Sequence, residues 1–280
     1  MVARSSRGIS RRAVLRLATG VAAGLVAGEV AYGGFYERYH LGVTRADIAC
    51  HALPPGLDGL RIGLISDTHY SAFTSLPLIE RAVDLLQREA PDLVLLGGDY
   101  VTHRDRRYIA DAAKPFARLD APHGVFGVLG NHDDAIEVPR VLRRAGVTVL
   151  TDTRMRLSVR GRTIDLLGLD YWTRQPAAIS RLVRGRAPFT IMLAHDPRRV
   201  YEASALDIPL VLSGHTHGGQ VSLPVIGALA ARKFPVAAGS GRFGSTALFV
   251  SRGVGTVLLP CRIGCPPEVA VVTLRMPSDV

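Results

Sequence analysis

The chain has 280 residues, 48% of them hydrophobic and 21% charged, with three cysteines and a formal charge of +10. That balance specifies a folded domain with a sizeable core, and it excludes a low-complexity chain or a small scaffold stapled by disulfides. Residues 1–31 hold five Arg (Arg4, Arg7, Arg11, Arg12, Arg16) against Glu29, so +4 of the charge is theirs and +6 belongs to the body. A basic body suits anionic substrates or a membrane surface, and the lack of a later basic run interleaved with aromatics argues against dedicated nucleic-acid binding.

The opening "SSRGISRRAVLRLATGVAAGLVAGEVAYGG" has a basic start, an apolar stretch from Ala13 to Ala27 and then small residues, the layout of an export signal. Ser10-Arg11-Arg12-Ala13-Val14-Leu15-Arg16 resembles the twin-arginine signal, read by machinery that exports folded proteins. The apolar stretch is short for a spanning helix of about 20 residues, and no cleavage site stands out, so removal and retention as an anchor both stay open. Residues 1–31 are thus read as a signal or anchor, 32–59 as a linker broken by Pro54-Pro55-Gly56, and 60–280 as one domain.

From Leu60 a pattern recurs. Apolar runs "RIGLIS", "DLVLLGG", "GVFGVLG", "FTIMLA" and "PLVLSG" each end in a polar cluster, as strands buried on both faces do. Helical patterns lie between them. "LPLIERAVDLLQREA" gathers Leu78, Ile79, Ala82, Val83, Leu85 and Leu86 on one side, "PRVLRRAG" opens on Pro and closes on Gly, and "DPRRVYEASAL" offers Asp196 as an N-cap. "LSVRGRTIDLLGLDYW" predicts a hairpin at Arg160-Gly161, and "EVAVVTLRM" a closing strand. The alternation indicates an α/β fold.

The chemistry sits just past the end of each run. Asp67-Thr68-His69 comes after the first, Asp99 after the second and Asn131-His132-Asp133 after the third. His195-Asp196 comes after the fourth and His215-Thr216-His217 after the fifth. Ligand sites of α/β folds gather at the carboxyl ends of strands, so five such ends delivering Asp, Asn or His point to one centre rather than five separate turns. Neutral imidazole is the commonest protein ligand for transition metals.

The series D-x-H, G-D, G-N-H-D, a lone His and G-H-x-H resembles the calcineurin-like metallophosphoesterase superfamily, over residues 67–217 for the motifs and roughly 60–275 with the flanking strands. The tail "FVSRGVGTVLLPCRIGCPPEVAVVTL" resembles an exported bacterial branch related to UDP-2,3-diacylglucosamine hydrolases. The resemblance implies a four-layer αββα sandwich of two mixed sheets flanked by helices, with a dinuclear metal site at the strand ends. Asp99 is implied as the bridging carboxylate, Asp67, His69 and His217 as completing one metal, and Asn131, His195 and His215 as completing the other. Two divalent ions, manganese, iron or zinc, agree with a donor set of oxygen and nitrogen without Cys. The implied activity is hydrolysis of a phosphomonoester, phosphodiester or pyrophosphate by a hydroxide bridging the metals. His132 is the candidate to stabilise the transition state or protonate the leaving oxygen, and Asp133 is expected to pair with its imidazole and keep it cationic. The alternative is a non-catalytic relative that binds an anionic lipid or envelope partner; the complete ligand set speaks against it.

His40, His51, His103 and His123 fall outside the motifs and read as surface or turn residues, with His103 a candidate for the pocket edge. Cys50, Cys261 and Cys265 read as small, partly buried thiols. Residues 221–249, apolar and glycine-rich with Arg232, Lys233 and Arg242, read either as a loop between strands or as a cover whose walls suit a lipid-linked phosphate. The expected partners are therefore a phosphorylated small molecule or lipid, the export machinery and a membrane surface.

Overall fold

The computed structural model describes residues 10–173 and 175–277; Arg4 and Arg7 of the basic start lie outside the described residues. Ser10 caps a long first helix, α1 (Arg11–Phe35), its side chain accepting from the Ala13 N–H. This helix runs past Glu29, well beyond the apolar stretch seen in the sequence, and at 1.5 Å per residue its 25 residues span about 37 Å. It is long and apolar enough to cross a membrane, and of its residues only Gly33 is buried.

In chain order come β1 (Gly42–Ala49), β2 (Arg61–Ile65), α2 (Leu76–Arg88), β3 (Leu93–Leu96), α3 (Arg106–Ala112), β4 (Val125–Gly127), α4 (Glu137–Arg144) and β5 (Thr148–Val149). After them are β6 (Thr153–Val159), β7 (Arg162–Leu169), α5 (Pro176–Leu182), β8 (Thr190–Ala194), α6 (Val200–Ala205), β9 (Leu210–Ser213), β10 (Gly239–Phe243), β11 (Thr246–Val250) and β12 (Glu268–Arg275). One sheet has the order β1-β12-β2-β3-β4-β5 and the other β10-β11-β9-β8-β7-β6. Both are mixed: β12 runs antiparallel to β2, β10 to β11 and β6 to β7, while the other pairs are parallel.

Alternation along the strands builds the layers. Ile62, Leu64, Leu93 and Leu95 of the first sheet pack against Ile164, Leu166, Ile191 and Leu193 of the second in one cluster between the sheets. The alternate residues Ile65, Val94 and Leu96 turn outward onto Ile79, Val83 and Leu86 of α2. On the far side Leu167, Met192 and Val211 meet Ile179 of α5 and Val200 and Ala203 of α6. Burial on both faces explains the near-continuous apolar runs. The result is an αββα sandwich, and the predicted hairpin forms where β6 and β7 pair across Arg160-Gly161.

Two stretches differ from expectation. Residues 32–59 are not a linker: β1 pairs with β12 over eight positions, and Ile48, Cys50, Leu53 and Leu57 join the inter-sheet core. This edge strand is largely half-exposed, so its sequence lacks a continuous apolar run. Of residues 221–249, the part from Gly239 onward forms β10 and most of β11 at the edge of the second sheet, which leaves 221–238 as loop over the strand ends.

Candidate metal centre

β2, β3, β4, β8 and β9 all end on one side of the sandwich, and the residues after them converge there. Asp67, His69 and His217 each place a ligand atom within 4.8 Å of the others, and Asp99, His195 and His215 form a second such group. The two histidines of G-H-x-H therefore fall in different groups. Asp99 lies between them: its Oδ2 is 3.4 Å from His69 Nε2 and 3.1 Å from His195 Nε2.

The backbone is bent to achieve this. Asp67, His69, Asp99, His215 and His217 have φ of 53°, 45°, 56°, 75° and 52°. Asp and His tolerate the left-handed region better than most residues, yet each such position costs about 1–3 kcal/mol and persists only where its surroundings enforce it. Backbone bonds supply that enforcement. The N–H groups of Asp67 and His69 donate to the carbonyls of Gly98 and Asp99, and the N–H of His215 donates to both oxygens of Asp67 at 3.0 Å. Gly130 completes the cradle, since a Cβ there would lie 2.0 Å from Asp99 Oδ1.

Outer contacts aim the imidazoles. His195 Nδ1 lies 2.7 Å from the Gly97 carbonyl, which can only accept, so Nδ1 carries the hydrogen and Nε2 faces the cluster. His69 Nδ1 meets Thr102 Oγ1 at 3.1 Å, again turning Nε2 inward. Ser66 Oγ donates to Asp67 at 2.5 Å. Gly97, Thr102 and Ser66 are not recognisable from the sequence pattern, because these contacts join separate strand ends.

Burial opposes charge on His195, but the carboxylates of Asp99 and Asp67 prevail and hold it up to about 10. Burial and the neighbouring His195 push His215 down to about 3. A fully buried pair of carboxylates thus favours positive charge at this point. Three further observations fit bound metal. His69 Nε2 faces His217 Nε2 at 3.1 Å, and His215 Nδ1 faces His195 Nε2 at 3.1 Å, so ring nitrogens from separate strand ends converge in two pairs. The Asn131 Oδ1 is buried with no hydrogen-bond partner among the described residues, as suits an oxygen that serves as a metal ligand.

The third strand end corrects one expectation. Asp133 does not pair with the His132 imidazole. Its Oδ2 accepts from the N–H of Gly130 (2.9 Å) and Asp99 (2.8 Å), and its Oδ1 from those of Tyr100 (2.8 Å) and Val101 (3.4 Å). Asp133 is a clip between the β3 and β4 exits, and burial beside Asp99 lifts its carboxyl to about 7. His132 Nδ1 instead accepts from the His103 N–H at 3.0 Å, which leaves the hydrogen on Nε2. Burial pushes this imidazole down to about 4, so it is a neutral donor rather than a cation.

A cavity of about 680 Å³ opens onto the centre. Asp99, His132 and His215 lie at its floor, and Leu223, Leu229 and Leu258 line its walls. His103 lies at its edge. Phe234 and Tyr171, absent from the sequence expectations, place their rings 5.1 and 5.3 Å from that of His215. The cysteines are unpaired, and Cys265 Sγ donates to the His217 carbonyl.

A family model for calcineurin-like phosphoesterases matches residues 60–219. The chain is 31% identical over 285 residues to an uncharacterized metallophosphoesterase, YkuE, of Bacillus subtilis strain 168, covering 95% of this chain and 98% of that one. It is 35% identical over 235 residues to the phosphodiesterase YaeI of Escherichia coli K12, covering 76% and 82%. A Bos taurus transmembrane protein with a metallophosphoesterase domain is 28% identical over 256 residues, 83% of this chain and 57% of that one. The chain belongs to the calcineurin-like metallophosphoesterase family.

Proposed function

We propose that the protein hydrolyses a phosphomonoester, phosphodiester or pyrophosphate bond with two divalent ions. The observation that carries this reading is the position of Asp99 Oδ2, within 3.4 Å of a histidine nitrogen from each ligand group. Asp67, His69 and His217 would hold one ion, Asn131, His195 and His215 the other, and Asp99 both. The oxygen and nitrogen donors suit manganese, iron or zinc. Such a pair of ions supplies Lewis acidity toward the phosphoryl oxygens and toward water.

The chain's own groups complete the chemistry. His132 Nε2–H, half-buried on the cavity floor, is the donor for the leaving oxygen. Asp133 acts by fixing the backbone that carries Asp99 and His132. Apolar walls beside Lys233 suit a substrate with a lipid portion, and the relative described as a phosphodiesterase makes a phosphodiester the first bond to test. Twin-arginine export to the periplasm or cell envelope, in a branch related to UDP-2,3-diacylglucosamine hydrolases, rests on Ser10–Arg16 and on the tail after Phe249. Retention by α1 as a membrane anchor rests on its length, apolarity and exposure.

The test pairs elemental analysis with hydrolysis of bis-p-nitrophenyl phosphate in manganese. Two ions per chain and turnover that Asp99→Asn abolishes are expected. Equal rates for the variant and the parent protein would defeat the reading.

A further inference from the structure

Eleven large hydrophobic side chains are exposed among the described residues outside α1 and the turn after it. Six of them, Leu223, Val225, Ile226, Leu229, Leu258 and Leu259, lie in two loops over the strand ends, a cluster denser than scattered surface apolarity. The loops are tied to each other. Gln220 donates from Nε2 to the carbonyls of Val257 and Leu259 and accepts at Oε1 from the Val257 N–H. The Ser222 N–H donates to the Ile263 carbonyl, and the Ile263 N–H to that of Gln220. The same segments wall the cavity above the metal centre.

The end of α1 is clamped to this assembly. A Cβ on Gly33 would lie 2.4 Å from the Arg262 carbonyl, so glycine is needed for the close approach. The Arg262 N–H donates to the Gly33 carbonyl at 3.1 Å, and Arg38 Nη1 to that of Pro260 at 3.1 Å. Glu37, buried, accepts from the N–H groups of Gly264 and Cys265. Before Gly33 the helix is exposed all round. Its clamped end carries Tyr32, Phe35, Tyr36 and Tyr39, all exposed. Aromatic side chains favour the level of lipid headgroups, so for a helix that crosses a bilayer this end marks the membrane surface. Only Pro260 separates Leu258-Leu259 from the clamp at Cys261-Arg262, which puts the apolar loops at that same level. Arg232 and Lys233, exposed beside them, meet anionic headgroups there.

We propose that the loops at 221–231 and 257–260 are a membrane-docking surface which, beside α1, seats the mouth of the cavity on the lipid bilayer. This rests on the reading of α1 as an anchor. The metal centre then opens at the lipid–water interface, where a phosphoester headgroup reaches it while the apolar part of the same molecule stays in the membrane.

The test places single tryptophans in the full chain on a Trp172→Phe background, reconstituted into phosphatidylcholine–phosphatidylglycerol vesicles with or without brominated acyl chains. Val225→Trp and Leu258→Trp report on the loops and Val21→Trp on α1. Met276→Trp is the remote control, since β12 ends beside the start of β2, at the opposite edge from the metal centre. The loop probes are expected to lose emission to brominated chains as the α1 probe does, while the Met276 probe keeps its own. Quenching at α1 without quenching at the loops overturns the docking surface and leaves the anchor standing. Quenching at the loops alone removes the anchor on which the arrangement rests and overturns the proposal. A lipid-independent blue shift that grows with chain concentration assigns the surface to a second copy and overturns the proposal. No metal is needed for the measurement, so its outcome is separate from that of the hydrolysis assay.

Discussion

The two ligand groups share Asp99 Oδ2 as a near neighbour but differ in exposure. Asp67, His69 and His217 are all buried, whereas His215 and Asn131 of the other group are half-buried beside the cavity. The buried group is backed by the segment before β12, and of its three residues His217 lines the cavity. The Val254 and Gly255 N–H groups donate to the carbonyls of Ser66 and Asp67, and Cys265 Sγ donates to that of His217. Metal sites closed by protein serve structure, and sites with an open position serve chemistry. The contrast predicts that the deeper group contributes more to stability, and the half-buried one more to contact with substrate.

The largest test of that contrast is Asp99→Asn with metal counting. Loss of both ions, with hydrolysis at background, is expected if this one carboxylate joins the groups. Loss of a single ion would make them independent sites and break the comparison at its root.

His132→Ala separates floor chemistry from ligation. Removing a positioned proton donor costs about 10²–10⁴-fold in kcat. Two ions per chain should remain by elemental analysis, with KM nearly unchanged. Normal turnover would remove His132 from the reaction.

His217→Ala and His215→Ala probe the two halves directly. An ion at 100 times its dissociation constant stabilises the fold by about 2.7 kcal/mol. Urea unfolding in manganese should show a loss of that order for His217→Ala, because the buried group braces β2 against β9. His215→Ala should lower activity more than stability. Equal destabilisation would erase the structural distinction.

Legibility in the sequence divided between local and distant causes. The five strand ends were readable because strands buried on both faces leave apolar runs whose polar endings stand out, and the Arg160-Gly161 turn announced its hairpin. β1 was hidden, since an edge strand pairing with residues 268–275 has no such run. Pairing His132 with Asp133 failed because adjacent side chains diverge, and three of the four backbone N–H groups that Asp133 binds belong to another strand end. The left-handed backbone at five ligand positions has no signature in residues already chosen for their side chains.

Thr102 is the mildest probe, and it reaches the deeper group through His69. Its Oγ1 meets His69 Nδ1 at 3.1 Å, three residues after Asp99 along the same strand exit. Thr102→Val keeps the shape and removes the hydroxyl, so the imidazole loses the contact that turns Nε2 inward. Groups that orient metal-bound histidines contribute about 10–100-fold in metal affinity or activity. A shift near the lower end is expected here, because the packing of His69 against His132 and His217 still restrains the ring. The change should appear in a competition titration with a chelator as weaker retention of one ion, the other holding as in the parent. Unaltered retention of both would show that burial alone positions His69, and equal weakening of both would mean that Asp99 transmits the disturbance across the centre.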